Sequence, residues 1–356
     1  MSNAIPNGPV TGRPIKEVRS KVPHAPVHLV DLLGLEREWV LHVFEETERL
    51  RMARGTKNAP RPLTGKTAAL IFHKPSLRTR VSFTVGMHDL GGDVAGLTAA
   101  EVSENGRESI PDVARALSTM CSLVVIRTFA HRLVQQLAAH ATIPVINALT
   151  DFSHPCQVLA DLYTLKRAGR DLDKITIAWV GDGNNVLHSW LQAATLFGFR
   201  LNLAVPDGFE PDGGLYIGAE RSSKGGVHRT RDPREAVAGA DVVYTDTWTS
   251  MGQEKDAEWR RVVFAGYQVN EELLSLAAPD ALFMHCLPAH RGEEVTDAVI
   301  DGPQSIVMEQ AENRLHLQKG LMAELVQASE AVRRGAAKKA RVAAGASGHA
   351  VPVVAE

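Results

Sequence analysis

Thr67-Ala68-Ala69-Leu70-Ile71-Phe72 is a short apolar run that ends at His73-Lys74-Pro75 and passes at once into Ser76-Leu77-Arg78-Thr79-Arg80. Its length and composition predict a buried strand. Residues 81–90 are apolar at helical period and stop at Gly91-Gly92, a helix-ending signal. The stretch therefore reads strand, polar turn, helix. Upstream, Leu35, Val40, Leu41, Val43, Phe44 and Leu50 give a helical pattern over 35–52. Downstream, strands are predicted at 123–126 and 144–147, with a helical stretch at 132–139 between them. This β-α-β-α alternation predicts a parallel sheet covered by helices.

The pattern then repeats. A helix is expected over 157–168, followed by the turn-rich Gly169-Arg170-Asp171-Leu172-Asp173. Beyond it come a strand at 175–180, a helix from Asn185, and strands at 201–205, 242–245 and 281–285. Residues 207–226 are Gly-rich and polar and read as loop, and a helix over 315–334 closes the fold. The expected fold is α/β, with two doubly wound parallel-sheet domains facing an interdomain cleft and linked by helices. The expected division is a flexible leader at 1–28, a first domain at 29–168 plus the C-terminal helix 318–334, a second domain at 169–317, and a flexible tail at 335–356.

Composition narrows the function. The 39 basic side chains nearly cancel the 41 acidic ones, for a net charge of −2, which argues against a nucleic-acid partner. The 3 cysteines, Cys121, Cys156 and Cys286, are far apart and form no CxxC pair. Neither a disulfide framework nor a zinc site is expected, and a reducing, cytoplasmic location is. No apolar run approaches the ~20 residues of a membrane span. The first 28 residues lack the apolar core of a secretion signal.

Candidate chemistry sits at the predicted strand ends. Ser76 and Thr79 offer hydroxyls, Arg78 offers a forked guanidinium, and a helix N-terminus adds free N–H groups, a set suited to phosphate. The plainer reading is an N-cap with two solvated arginines, and the two weigh about equally. Arg127 follows the strand at 123–126, where a surface arginine is the commoner case. His154-Pro155-Cys156-Gln157 opens a helix and puts His154 and Gln157 on one face. In the second half, Gly181-Asp182-Gly183-Asn184-Asn185-Val186 follows a strand but is not a dinucleotide fingerprint, because Val186 stands where a small residue is needed. Asp246-Thr247-Trp248-Thr249-Ser250-Met251-Gly252, His285-Cys286-Leu287-Pro288 and Gln310-Ala311-Glu312-Asn313-Arg314 complete the set. Alone, Asp246 could be a strand-end cap and Cys286 a small buried hydrophobe.

Taken in order, Ser-x-Arg-Thr-Arg, Arg-Thr after a strand and His-Pro-x-Gln resemble the carbamoyl phosphate site of the aspartate/ornithine carbamoyltransferase family. The later segments, Asp-x-Trp-x-Ser-Met-Gly and His-Cys-Leu-Pro, resemble its ornithine branch, and the likeness spans about residues 32–325. The resemblance implies transfer of a carbamoyl group from carbamoyl phosphate to the δ-amine of L-ornithine, in arginine metabolism, without cofactor or metal. Aspartate, putrescine or N-acetylornithine remain alternative acceptors. It implies that Ser76, Leu77 (through its backbone), Arg78 and Thr79 hold phosphate, and that Arg127, His154, Gln157 and Arg314 hold the carbamoyl end. It implies that Asn185, Asp246, Ser250 and Met251 hold ornithine, with Cys286 and Leu287 beside its δ-amine. Arg127, His154, Asp246, Cys286 and Arg314 are the expected catalytic residues, with Cys286 and Asp246 as a proton relay. A homotrimer, or a multiple of it, is also implied. The chain departs from the family at Leu77, where Thr is usual, and at Ser103, where relatives carry Gln or His in a loop reaching the neighbouring subunit. Arg107 is the expected substitute cation.

Overall fold

The computed structural model describes residues 25–103 and 106–346. The leader before residue 25 and the tail after 346 lie outside the described residues. The first lobe runs α1 (Arg37–Ala53), β1 (Thr67–Phe72), α2 (Leu77–Asp89), β2 (Asp93–Thr98), α3 (Ile110–Met120), β3 (Leu123–Arg127), α4 (His131–His140), β4 (Val145–Leu149) and α5 (Pro155–Arg167). The second runs β5 (Thr176–Val180), α6 (Asn185–Leu196), β6 (Arg200–Ala204), α7 (Gly213–Ser222), β7 (Val227–Thr230), α8 (Pro233–Val237), β8 (Val242–Thr245), α9 (Ala257–Phe264), α10 (Glu271–Leu274), β9 (Leu282–His285) and α11 (Asp297–Ile300). The last helix, α12 (Val307–Ala346), packs against α1, α2 and α5 and touches β9. Among the described residues no helix is long and apolar enough to cross a membrane.

Both sheets are parallel, in the orders β2-β1-β3-β4 and β7-β6-β5-β8-β9. In each, the chain winds outward one way and then returns to start on the other side. The switch points fall between β1 and β3 and between β5 and β8. Loops leaving neighbouring strands there part in opposite directions and open a crevice at the carboxyl ends. The expected two-lobed α/β fold is what forms, and its topology alone says where a ligand belongs.

The core explains why these segments became strands. β1, β3, β4 and β5 are buried almost throughout, as parallel strands covered on both faces must be. Trp179 of β5 stacks on Tyr244 of β8 at 5.3 Å, and Trp190 of α6 meets the same tyrosine edge-on at 5.6 Å. One apolar cluster runs from Leu29 through Trp179 to Val326 and so joins the two lobes.

Three expectations need correction. The stretch 207–226 is not all loop: α7 forms within it, because the Asp212 side chain accepts from the Leu215 N–H at 2.9 Å and caps two glycines that would otherwise resist helix. β2 is absent from the sequence reading because it is a half-exposed edge strand containing Gly96. The closing helix starts at Val307 rather than 315 and continues to Ala346 rather than 334. Its Ala-rich end has the highest intrinsic helix propensity.

Gly183, in the turn after β5, is held by close backbone approach. A Cβ there would lie 2.3 Å from the Phe209 carbonyl oxygen and 2.4 Å from the Pro211 nitrogen. Gly183→Ala should therefore lower unfolding free energy by about 1–3 kcal/mol. Urea unfolding checks this, with Gly218→Ala in α7, where nothing lies within 4 Å, as a control expected to be neutral or stabilising.

Candidate active site

The two switch points face each other across a cavity of about 1250 Å³. Ser76, Leu77, Arg78, Thr79, Arg127, His154 and Gln157 line it from the first lobe, and Asn185, Asp246, Ser250, Met251, Cys286 and Leu287 from the second. Arg314, near the start of α12, reaches it as well. Every residue expected to hold substrate thus borders one space, while Ser103 and Arg107 do not.

The first wall is cationic. Ser76 is the N-cap of α2, yet its hydroxyl makes no capping bond, and the first turn carries no acid to consume the helix-end charge. Leu77 is 77% exposed, so no packing demands a particular side chain there. Thr79 is buried and accepts from Arg314 Nη2 at 2.9 Å, while Arg314 Nη1 donates to Gln157 Oε1 at 3.0 Å. The β3–β4 ladder slips between Ile126 and Arg127, so the sheet's regular pairing ends where Arg127 meets the cavity. Burial, with the charges of Arg314 and Arg78, pushes Arg127 down to about 10, still protonated at neutral pH. Burial and the same kind of cationic neighbours, Arg314 and Arg127, push His154 well below its usual value, so it is a neutral imidazole. Arg127 Nε, Arg314 Nε and His154 Nδ1 are buried without a protein hydrogen-bond partner. Lys74, which the sequence reading passed over, also lines the cavity. It is 4% exposed, pairs with Asp151 and lies 4.2 Å above the Phe129 ring.

The second wall centres on Asp246, at the end of β8. Its Oδ1 accepts from the Thr247 N–H at 2.8 Å and from the Cys286 thiol at 3.0 Å. Its Oδ2 accepts from Asn184 Nδ2 at 2.7 Å. Asn184 is fixed in turn, because its Oδ1 caps α6 by accepting from Val186 and Leu187. The neighbouring Asn185 gives its Nδ2 to the Thr150 carbonyl at 2.6 Å, tying the lobes together. Burial, with Asp246 alongside, pushes the Cys286 thiol well above its usual range. The thiol therefore keeps its proton and donates a hydrogen bond to the Asp246 oxygen. Leu287 has φ +56°, and its N–H donates to His285 Nδ1 at 2.8 Å. His285 is anchored by Glu294 at 3.1 Å, both fully buried. Arg260 pairs with Asp182 at 2.5 Å beside the cavity and sits 4.6 Å over Phe209. Neither residue of that pair was singled out by sequence.

One contact crosses the cleft mouth: Arg127 Nη2 to Met251 Sδ at 3.8 Å. Two groups could in principle hold a cation, Asp246-His285-Cys286 and His290-Glu293-Glu294, each with its ligand atoms within 4.8 Å of one another. In the first, however, the thiol is already bonded to Asp246, and His285 is spent on Glu294 and the Leu287 N–H. A wall of buried cationic groups thus faces a wall centred on the Asp246 carboxylate.

Comparison with known proteins agrees with this division. Residues 27–167 match the aspartate/ornithine carbamoyltransferase carbamoyl-P binding domain, and residues 173–325 match the Asp/Orn binding domain of the same family. The ornithine carbamoyltransferase of Syntrophus aciditrophicus is 48% identical over 298 residues, covering 84% of this chain and 99% of that protein. That of Nitrobacter winogradskyi is 50% identical over 300 residues, covering 84% and 97%. Among solved structures, the ornithine carbamoyltransferase of Pyrococcus furiosus superposes with a TM-score of 0.80 at 46% identity, covering 83% of this chain and 96% of that one. With both of its domains matched in order, this chain belongs to the aspartate/ornithine carbamoyltransferase family.

Proposed function

We propose that this chain transfers the carbamoyl group of carbamoyl phosphate to the δ-amine of L-ornithine, giving L-citrulline and phosphate. The observation that carries the proposal is the single cavity with unpaired cationic groups on one wall and the Asp246–Cys286 pair on the other. Ser76, the Leu77 backbone, Arg78 and Thr79 hold the phosphate at the α2 N-terminus. Arg127, His154, Gln157 and Arg314 hold the carbamoyl end. Asn185, Asp246, Ser250 and Met251 take the amino-acid end, with Cys286 and Leu287 beside the amine. Asn184 belongs with them, because it orients Asp246.

An alkyl amine of this kind has a pKa of about 10.4, and only its neutral form attacks. Asp246 faces the ammonium and accepts its proton, and the Cys286 thiol steadies the carboxylate through its own hydrogen bond. As the amine nitrogen bonds to the carbamoyl carbon, charge gathers on the carbamoyl oxygen, where Arg127, Arg314 and the neutral His154 are placed to stabilise it. The C–O bond to phosphate then breaks, and phosphate, already neutralised by Arg78 and the helix end, leaves with the second proton that the nitrogen sheds. On the second wall Asp182 and Glu293 are paired with Arg260 and Arg261, and the Asp246 carboxylate, which takes hydrogen bonds but no salt bridge among the described residues, disfavours a dicarboxylate such as aspartate.

We assign residues 29–168 and 318–334 to the carbamoyl phosphate lobe, on the packing of α12 against α1, α2 and α5, and residues 169–317 to the ornithine lobe. A cytoplasmic homotrimer, or a multiple of it, serving arginine biosynthesis fits the same reading. Arg107 is exposed and does not line its own chain's cavity, as a residue reaching a neighbour's site would be. Incubation with carbamoyl phosphate and ornithine should yield citrulline, while aspartate, putrescine and N-acetylornithine should give at most a few per cent of that rate. Preference for any of these three would overturn the choice of acceptor.

A further inference from the structure

We propose that Asp161, which lies outside the cavity lining, is a positioning residue that sets both substrate walls at once. The inference rests on the function proposed above. Asp161 sits on α5 with no exposed surface. Its Oδ1 accepts from Gln157 Nε2 at 2.8 Å and from Gln310 Nε2 at 2.8 Å, and its Oδ2 accepts from the Tyr244 hydroxyl at 2.9 Å. The three donors come from α5, α12 and β8, so one carboxylate gathers the first lobe, the second lobe and the closing helix.

Gln157 lines the cavity itself, and Gln310 and Tyr244 stand one step from the proposed chemistry. A glutamine amide has a donor end and an acceptor end, whereas a carboxylate only accepts. Asp161 therefore takes the NH₂ end of Gln157 and leaves Oε1 for Arg314, which can only donate. It takes the NH₂ end of Gln310 in the same way, leaving that Oε1 for the His285 N–H at 3.0 Å, next to Cys286. Tyr244 lies two residues before Asp246 on β8. Without the acid, the orientation of Gln157 rests on Arg314 and that of Gln310 on the His285 N–H and the Tyr244 hydroxyl. Burial pushes Asp161 up to about 7, against the pull of its three donors. A buried acid costs stability that a hydrocarbon of similar volume would not. Its presence fits a geometric role better than a cohesive one.

The test is Asp161→Asn in the full-length chain, which keeps shape but replaces one acceptor with a donor. In the citrulline assay kcat should fall about 10²-fold, the scale of a misplaced catalytic group. The affinity for inorganic phosphate should stay within about threefold, because the Ser76–Arg78 cradle makes no contact with Asp161. A kcat within threefold of the unaltered protein would overturn the proposal, as would equal losses in kcat and phosphate affinity. If Asp161→Asn does not fold, Gln310→Met decides: it removes the Gln310 bonds to Asp161, Tyr244 and His285 while leaving Gln157 on Asp161, and should lower kcat about tenfold with phosphate affinity retained, while unchanged kcat overturns the proposal. No citrulline from the unaltered protein would instead remove the function, and the role of Asp161 with it.

Discussion

Replacing Arg127 with alanine should lower kcat about 10²–10³-fold while leaving the fold intact. The magnitude is that of losing one preorganised donor to a developing oxyanion. The sparing of stability follows from the geometry. Arg127 is at a strand end where the ladder has already slipped, its Nε has no protein partner, and its contact with Met251 is a 3.8 Å approach to sulfur. Burial and two nearby arginines act against its charge. Removing it relieves that opposition, so thermal stability should hold or rise. Lysine should restore little, because it lacks the planar fork. Steady-state kinetics beside a melting curve separates the outcomes, and unchanged turnover would remove Arg127 from the site.

Asp246→Asn should cost about 10²–10⁴-fold in kcat/KM for ornithine, the usual span for loss of a positioned proton acceptor. Three donors converge on this carboxylate: Thr247 N–H, the Cys286 thiol and Asn184 Nδ2. An asparagine must point its own NH₂ at one of them, so the variant loses both the base and the local order. KM for carbamoyl phosphate should be nearly unchanged, since that substrate is held by the opposite lobe. Cys286→Ala should be milder, because the thiol is a donor to Asp246 and not the base. Wild-type activity in Asp246→Asn would leave the second wall without its proposed centre.

Much of this site was legible from local pattern. Strands with chemistry at their carboxyl ends can be read wherever an apolar run stops at a polar cluster, as at Phe72 and Thr245. What escaped is what depends on contacts distant in sequence. Lys74 looked like part of a turn, and only the fold puts it over Phe129 and against Asp151. Arg260 lies on a short helix facing solvent on one side, and its partner Asp182 is 78 positions away. Asn184 and Asn185 were indistinguishable as letters. The capping geometry of α6 gives Asp246 to the first and Thr150 to the second. Asp161 carried no signal, because a lone acid within an apolar helix gives no hint of which donors will surround it. The role of Arg314 was available from family likeness alone, because no spacing rule relates it to Thr79.

That last pairing has a bearing on how the protein comes into being. Arg314 reaches Thr79 across 235 positions of chain, from a helix that leaves one lobe and lies down on the other. The phosphate cradle is thus missing an arginine until synthesis has passed residue 314. A polypeptide halted after its first lobe would own most of the anion ligands and still lack the one that clasps Thr79 to Gln157. Intermediates that stop short of residue 314 should hold a labile phosphorylated carbamate less well, and full competence should arrive when α12 docks.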